Sequence, residues 1–230
     1  MSSTADLSAA PWLIGLLVVA GSAVGFLLQR RLVTTGYRLD DEEGPLPGPS
    51  WAVVLAVPVL WGLLAGRLGG AAHGSLLPAY LLLATVGVAL LWIDVDVHRL
   101  PEGLTLPTIP ALVVLLAIAS ASSGDWGALG RAAVSGVAGY LFYVALALIV
   151  PGGLGLGDAT LGGLVSLPLG YLGWGPPLAG VLLTYLLGGA FTLVALALRR
   201  LRLKGHIAFG PFILVGSLAA VLLDRQILGA

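Results

Sequence analysis

Eight long apolar stretches organise this chain, at 11–28, 51–66, 76–93, 104–120, 128–150, 159–174, 177–198 and 207–224. Most of the charges fall in the breaks between them, at 30–50, 67–75, 94–103, 121–127, 151–158, 173–177 and 199–206. A bilayer's hydrocarbon core, about 30 Å thick, takes roughly 20 apolar residues as helix. Every backbone N–H and C=O inside it needs an internal partner, which favours helices over open strands. The pattern predicts an all-α, polytopic membrane protein of about eight transmembrane helices, with 1–230 as one integral membrane domain. The second and sixth stretches are the shortest.

Composition sharpens this picture. Of 230 residues, 58% are hydrophobic and only 10% charged, and the mean hydropathy is +1.04. A soluble domain carries about a quarter charged residues and must cover its surface with polar groups, so a soluble enzyme is excluded. A disordered chain would need the opposite composition. The net charge of +0 gives no electrostatic footprint for nucleic acid, and none is expected as a partner. With no cysteine, disulfides, iron–sulfur clusters and thiolate zinc sites are excluded. The first ten residues hold no Lys or Arg and so lack the basic region of a cleavable signal peptide. The stretch 11–28 reads as a retained first span.

Positive charge predicts orientation, because Lys and Arg accumulate on the cytoplasmic side. With the N-terminus outside, the inner loops hold Arg30, Arg31, Arg38, Arg99, Arg199, Arg200, Arg202 and Lys204, and only Arg67, Arg131 and Arg225 fall outside. The expectation is N-out/C-out, with the breaks that begin at Asp94 and Pro151 on one cytoplasmic face. The acidic run Asp40 to Glu43, followed by Pro45, Pro47 and Pro49, reads as a solvated connector. No repeat or transporter-like duplication is evident.

Ionisable groups at membrane depth are costly and are functional candidates. Asp94 closes the third span in LLWIDVDVHRLPEGLTLP, and Asp158 opens the sixth in VPGGLGLGDATLGG. The predicted orientation puts both at the cytoplasmic boundary. Two carboxylates held close together share one proton and titrate as a unit. Such a pair hydrolyses peptides: one carboxylate takes a proton from water while the other donates one to the scissile carbonyl. Gly152, Gly153, Gly155 and Gly157 remove side chains beside Asp158, so an extended peptide can approach. The start of a helix there would favour its charged form. A G-x-G-D string alone is weak where 34 of 230 residues are glycine. Plainer alternatives are an N-cap in a Gly-rich turn for Asp158 and a solvated loop acid beside Asp96 for Asp94.

Three separated blocks resemble the type IV prepilin peptidases, membrane aspartyl proteases with a G-x-G-D motif. Ile93-Asp94-Val95-Asp96, Leu100-Pro101-Glu102 and Leu104-Thr105-Leu106-Pro107 look like the family's first catalytic block. Gly155-Leu156-Gly157-Asp158 looks like its second, and Ile207-Ala208-Phe209-Gly210-Pro211-Phe212 resembles its late I-P-F-G-P-F segment. The match covers about 76–224, and the eight-span layout agrees with the family's topology. The resemblance implies an aspartyl endopeptidase of the prokaryotic cytoplasmic (inner) membrane. Such an enzyme removes the leader peptide of a prepilin or pseudopilin precursor at the cytoplasmic face, after a Gly that precedes the pilin's hydrophobic helix. Asp94 and Asp158 match the catalytic pair, and Asp96 and Glu102 align with supporting acids. Its partners would be the precursor and the lipid bilayer.

The departures are also specific. The cysteine-rich zinc insert of many members is missing. Gly25 stands where the Asn of a G-S-F-L-N pattern would be, in Gly21-Ser22-Ala23-Val24-Gly25, which speaks against N-methylation of the new terminus. No cofactor is expected, S-adenosylmethionine entering only with methyltransferase activity. Thr160 replaces a Lys, and Glu102 replaces an Asp.

Other features have bland readings. His98, four residues after Asp94, reads as an interfacial loop histidine rather than a metal ligand. Trp12, Trp51, Trp92 and Trp174 read as an aromatic belt. Gly21/Gly25 and Gly62/Gly66 read as close helix packing, with a substrate groove as the alternative. Two other functions use the same residues: an ion-coupled transporter with the acids as a relay, and a non-catalytic pilus or secretion assembly subunit. Acids at span ends favour the protease over the transporter, whose acids usually sit near mid-membrane.

Overall fold

A computed structural model of the chain describes residues 10–70, 73–149, 154–198 and 208–224. Among them the secondary structure is helical, with no strand. The helices are α1 (Pro11–Val33), α2 (Trp51–Leu68), α3 (Leu77–Val97), α4 (Glu102–Ser123), α5 (Trp126–Ile149), α6 (Leu156–Leu172), α7 (Gly175–Ala197) and α8 (Gly210–Leu223). Each falls on one of the apolar stretches. Six helical segments are long and apolar enough to cross a membrane. At 1.5 Å per residue, the 17 residues of α6 and 14 of α8 reach only about 25 and about 21 Å. The basic residues 199–204 and Arg225, with Gly152, Gly153, His206 and Ile207, lie outside the described residues.

The largest shift in boundaries is between the third and fourth helices. The sequence reading breaks the chain over 94–103, but α3 runs on to Val97 and α4 starts at Glu102. Nothing in Asp94-Val95-Asp96-Val97 opposes a helix. The stop comes at His98, whose φ of 51° is left-handed, a conformation in which His is enriched among non-glycine residues. Pro101 then disfavours helix at Leu100 before it, while its carbonyl accepts the N–H groups of Leu104 and Thr105 at 3.0 and 3.2 Å. His98 is exposed, in keeping with a loop histidine.

Contacts divide the described chain into two compact units, one up to Val97 together with Pro107–Asp125, the other His98–Leu106 with Trp126–Asp224. In the first, the four glycines of the small-residue pairs all face the α1–α2 seam. A Cβ at Gly21 would lie 2.9 Å from the Pro58 Cα, and one at Gly25 would lie 2.9 Å from the Val54 carbonyl oxygen. Gly62 meets Val18 and Gly66 meets Ile14. Lipid tails are as apolar as Leu, so helices in a membrane associate through such close backbone approach. These contacts pack α1 against α2.

The second unit uses the same device between α5 and α6. A Cβ at Gly136 would press on Leu167, and Cβ atoms at Gly139 and Gly170 would collide with Ser166 and Ser135. Arg131 of α5 closes the C-terminal end of α6, donating through Nε to the Gly170 carbonyl at 2.9 Å and through Nη2 to that of Tyr171 at 2.8 Å. A cation there satisfies orphan carbonyls and complements the helix dipole.

Of the four tryptophans assigned to an aromatic belt, Trp12, Trp51 and Trp174 are exposed at helix ends, as is Trp126. Trp92 departs from that reading. It is 6% exposed, and its indole donates to the Tyr37 hydroxyl at 3.2 Å. Its place on the inner face of α3 puts it in a polar cluster rather than at the lipid surface.

Candidate functional site

The last turns of α3 carry Asp94 and Asp96. Asp94 is 4% exposed and belongs to an inward-facing row with Leu90, Trp92 and Ile93. It is thus a buried acid inside a helix, not a loop acid. Asp96, two positions on, turns to another face, where its carboxylate accepts three side-chain hydrogen bonds. Tyr37 donates at 2.5 Å, and Arg38 donates through Nε at 2.8 Å and Nη2 at 2.7 Å. This fork is the bidentate geometry a guanidinium makes with a carboxylate.

Arg38 reaches further, giving Nη1 to the Gly44 carbonyl at 2.8 Å and Nη2 to that of Pro45 at 3.2 Å. Within the same turn the Leu39 N–H donates to Glu42 at 2.8 Å. The acidic, proline-rich connector is therefore anchored, through Arg38, to the end of α3. Burial pushes the Tyr37 phenol above its ordinary value, and its hydrogen bond to the Asp96 carboxylate adds to that. The same carboxylate holds the Arg38 guanidinium still more firmly protonated. Asp96 acts here as a structural tether.

Asp158 is set differently. It stands in the first turn of α6 and takes the Gly155 N–H on Oδ2 at 2.9 Å, while its own N–H donates to the Gly155 carbonyl at 3.1 Å. Gly155 is the N-cap and Asp158, at N3, supplies the return half of a capping box, so Asp158 serves the cap without being the N-cap residue. Asp158 is half-buried, and among the described residues its Oδ1 carries no hydrogen bond. Thr160 turns its hydroxyl back to the Leu156 carbonyl at 3.1 Å.

The glycines of the second block have distinct uses. A Cβ at Gly155 would meet only Asp158, at 3.7 Å, so that side is open. A Cβ at Gly157 would lie 3.1 Å from the Leu100 Cβ. Leu100 is buried, so the Leu-Pro-Glu segment of the first block docks on the G-x-G-D turn, and the bare backbone at 157 permits it. Glu102, two residues on, is exposed at the start of α4. Asp158 and Leu100 to Leu106 belong to the second unit, and Asp94 and Asp96 to the first.

The third block also reaches this neighbourhood. Phe209 packs on Tyr185 of α7 with ring centroids 5.4 Å apart, and Tyr185 stacks on Tyr143 of α5 at 6.4 Å. Both phenols lie within electrostatic range of Asp158. Neither tyrosine is conspicuous in the sequence, since each sits inside an apolar run. The available signal is a polar-tipped residue in a span beside the Gly-rich sixth helix. No family model, curated protein or solved structure matches the chain. The site thus stands on its own geometry and on the resemblance of its motifs.

Proposed function

We propose that this protein is a membrane aspartyl endopeptidase that removes the leader peptide of prepilin-like precursors, with Asp94 and Asp158 as its catalytic carboxylates. The observation that carries this reading is the seating of Leu100 on Gly157, which joins two motif blocks more than fifty residues apart in the chain. It is supported by Asp94, an ionisable side chain kept buried in an apolar helix, a costly placement usually reserved for function. The helices form eight spans, oriented N-out/C-out by their basic loops, in the cytoplasmic membrane of a prokaryote.

In an aspartyl protease the paired carboxyls hold one proton between them. The ionised carboxylate takes a proton from water as the water oxygen bonds to the scissile carbonyl carbon. The protonated carboxyl gives its proton to the carbonyl oxygen. The carboxyl that took the water proton then gives it to the amide nitrogen while a hydroxyl of the gem-diol returns one to the other carboxylate; the C–N bond breaks, releasing leader and mature chain with the pair again holding one proton. The Gly155 N–H holds the Asp158 carboxylate in position at 2.9 Å, and the open side at Gly155 leaves room for an extended backbone. Glu102 and Asp96 support the site from their helix ends, Asp96 through its grip on Arg38. Methylation of the new N-terminus does not form part of this proposal.

The test is co-expression with candidate precursors and mass spectrometry of the mature N-terminus. Asp94→Asn and Asp158→Asn should each abolish processing while the protein still inserts. Processing at the wild-type rate by either variant would overturn the assignment.

A further inference from the structure

One turn along α6 from Asp158, position 162 is glycine, and a Cβ there would collide with the Tyr143 ring. The missing side chain is what lets a phenol stand beside the acid-bearing end of α6. The Tyr143 hydroxyl is already engaged by Thr184, whose own hydroxyl donates to the Gly180 carbonyl at 2.8 Å.

Tyr185 is in a different condition. Its ring is held on two sides, stacked at 18° on Tyr143 and backed by Phe209. Its hydroxyl is buried, has no hydrogen-bond partner among the described residues, and lies within electrostatic range of Asp158. A buried hydroxyl without a partner is costly, and native structures rarely tolerate one without a reason. Among the described residues Asp158 has the opposite vacancy, an acceptor oxygen with no donor. An idle donor and an idle acceptor near one helix end match the two polar atoms of a backbone peptide group, a carbonyl oxygen and an N–H.

We infer that Tyr185 anchors the substrate, its hydroxyl donating to a backbone carbonyl of the extended precursor segment laid beside Asp158. The inference rests on the peptidase reading above and adds to it a residue that no motif of the resemblance contains. The aromatic wall of Phe209 and Tyr143 fixes the direction of the hydroxyl, so the anchor is formed before the peptide arrives.

The experiment measures KM and kcat for the full-length protein in proteoliposomes, with a prepilin-like precursor that the wild type cleaves. Tyr185→Phe keeps the ring and its stacking and removes only the donor. A hydrogen bond made equally in ground and transition states shows as binding alone. KM should therefore rise about tenfold with kcat within about threefold. Removing an unpartnered hydroxyl should not lower the melting temperature, which a merely structural role would do. Tyr143→Phe, which strips a partnered hydroxyl, should lower it. A second measurement does not depend on any variant's folding: in the wild type, a precursor with one carbonyl beside the scissile bond reduced to methylene should show the same rise in KM.

A KM rise above about threefold in both arms supports the anchor. A KM within that limit in either arm, or a change confined to kcat, overturns it and leaves the peptidase reading to stand on Asp94→Asn and Asp158→Asn. A wild type that cleaves no precursor ends both.

Discussion

The end of α3 and the start of α6 each present an aspartate in a motif that looks catalytic, and the two acids are treated in opposite ways. Asp96 is saturated by a tyrosine and a forked arginine. Among the described residues Asp158 receives a single backbone N–H, and a phenol within its electrostatic range, Tyr185, has an idle hydroxyl. A carboxylate whose acceptor positions are filled by fixed donors has little left for a substrate or a water. One with an open oxygen beside an idle donor keeps that capacity. The difference separates a tether from a reactive group more sharply than motif membership, which places both acids together.

The largest effect that tests this contrast is on turnover. Asp158→Asn should lower precursor cleavage by at least about a thousandfold, the range expected for an acid–base group, with little change in thermal stability. Asp96→Asn should keep cleavage within about tenfold, because only support is lost. Its melting temperature should fall by a few degrees, since Arg38 and Tyr37 lose their anionic partner. Cleavage rates by mass spectrometry and melts in detergent measure both. Equal loss of cleavage in the two variants would erase the distinction.

A smaller effect contrasts two glycine seams. Gly162→Ala drives a methyl into the Tyr143 ring, and overpacking of this kind costs about 1–3 kcal/mol. That is a fall of roughly 2–12 °C in the melting temperature for a chain of this size. It should also displace the Tyr143–Tyr185 stack and raise KM. Gly66→Ala places its methyl 3.9 Å from Ile14, ordinary contact on an exposed side of the α1–α2 seam, and should be neutral or slightly stabilising. Thermal melts of the two variants side by side check the difference.

These contrasts also mark what could be read from the chain alone. The helices were legible because long apolar runs leave a membrane protein few other choices. The acids at 94 and 158 stood out because charge is rare in such runs. The end of α3 was misplaced because Asp-Val-Asp-Val looks like a loop in an apolar context, while the actual stop depends on one left-handed backbone at His98. Arg38 was counted for orientation alone. Its grip on Asp96, Gly44 and Pro45 is a tertiary fact joining residues up to 58 positions apart. Tyr143 and Tyr185 were hidden for a related reason: a tyrosine in a span shows its hydroxyl's role only when its neighbours across the helix seam are known.

The smallest effect concerns the proton on Tyr37 and tests the tether from the other side. Burial first, and then the Asp96 carboxylate, raise this phenol above its ordinary 10.0. A group whose folded value is raised stabilises the fold fully below the unfolded value and loses that contribution as pH climbs through the folded one. The stability difference between wild type and Tyr37→Phe should therefore stay constant from about pH 7 to about pH 9 and narrow above about pH 10. Other tyrosines titrate in both proteins, so the difference isolates this one. Detergent melts at stepped pH measure it, and the narrowing should shrink without vanishing when Asp96→Asn is added to both, because burial still raises the phenol while the carboxylate's share is gone. A difference that stays flat to pH 11, or that narrows equally without Asp96, would mean the phenol is not held by that carboxylate, and the tether would then rest on Arg38 alone.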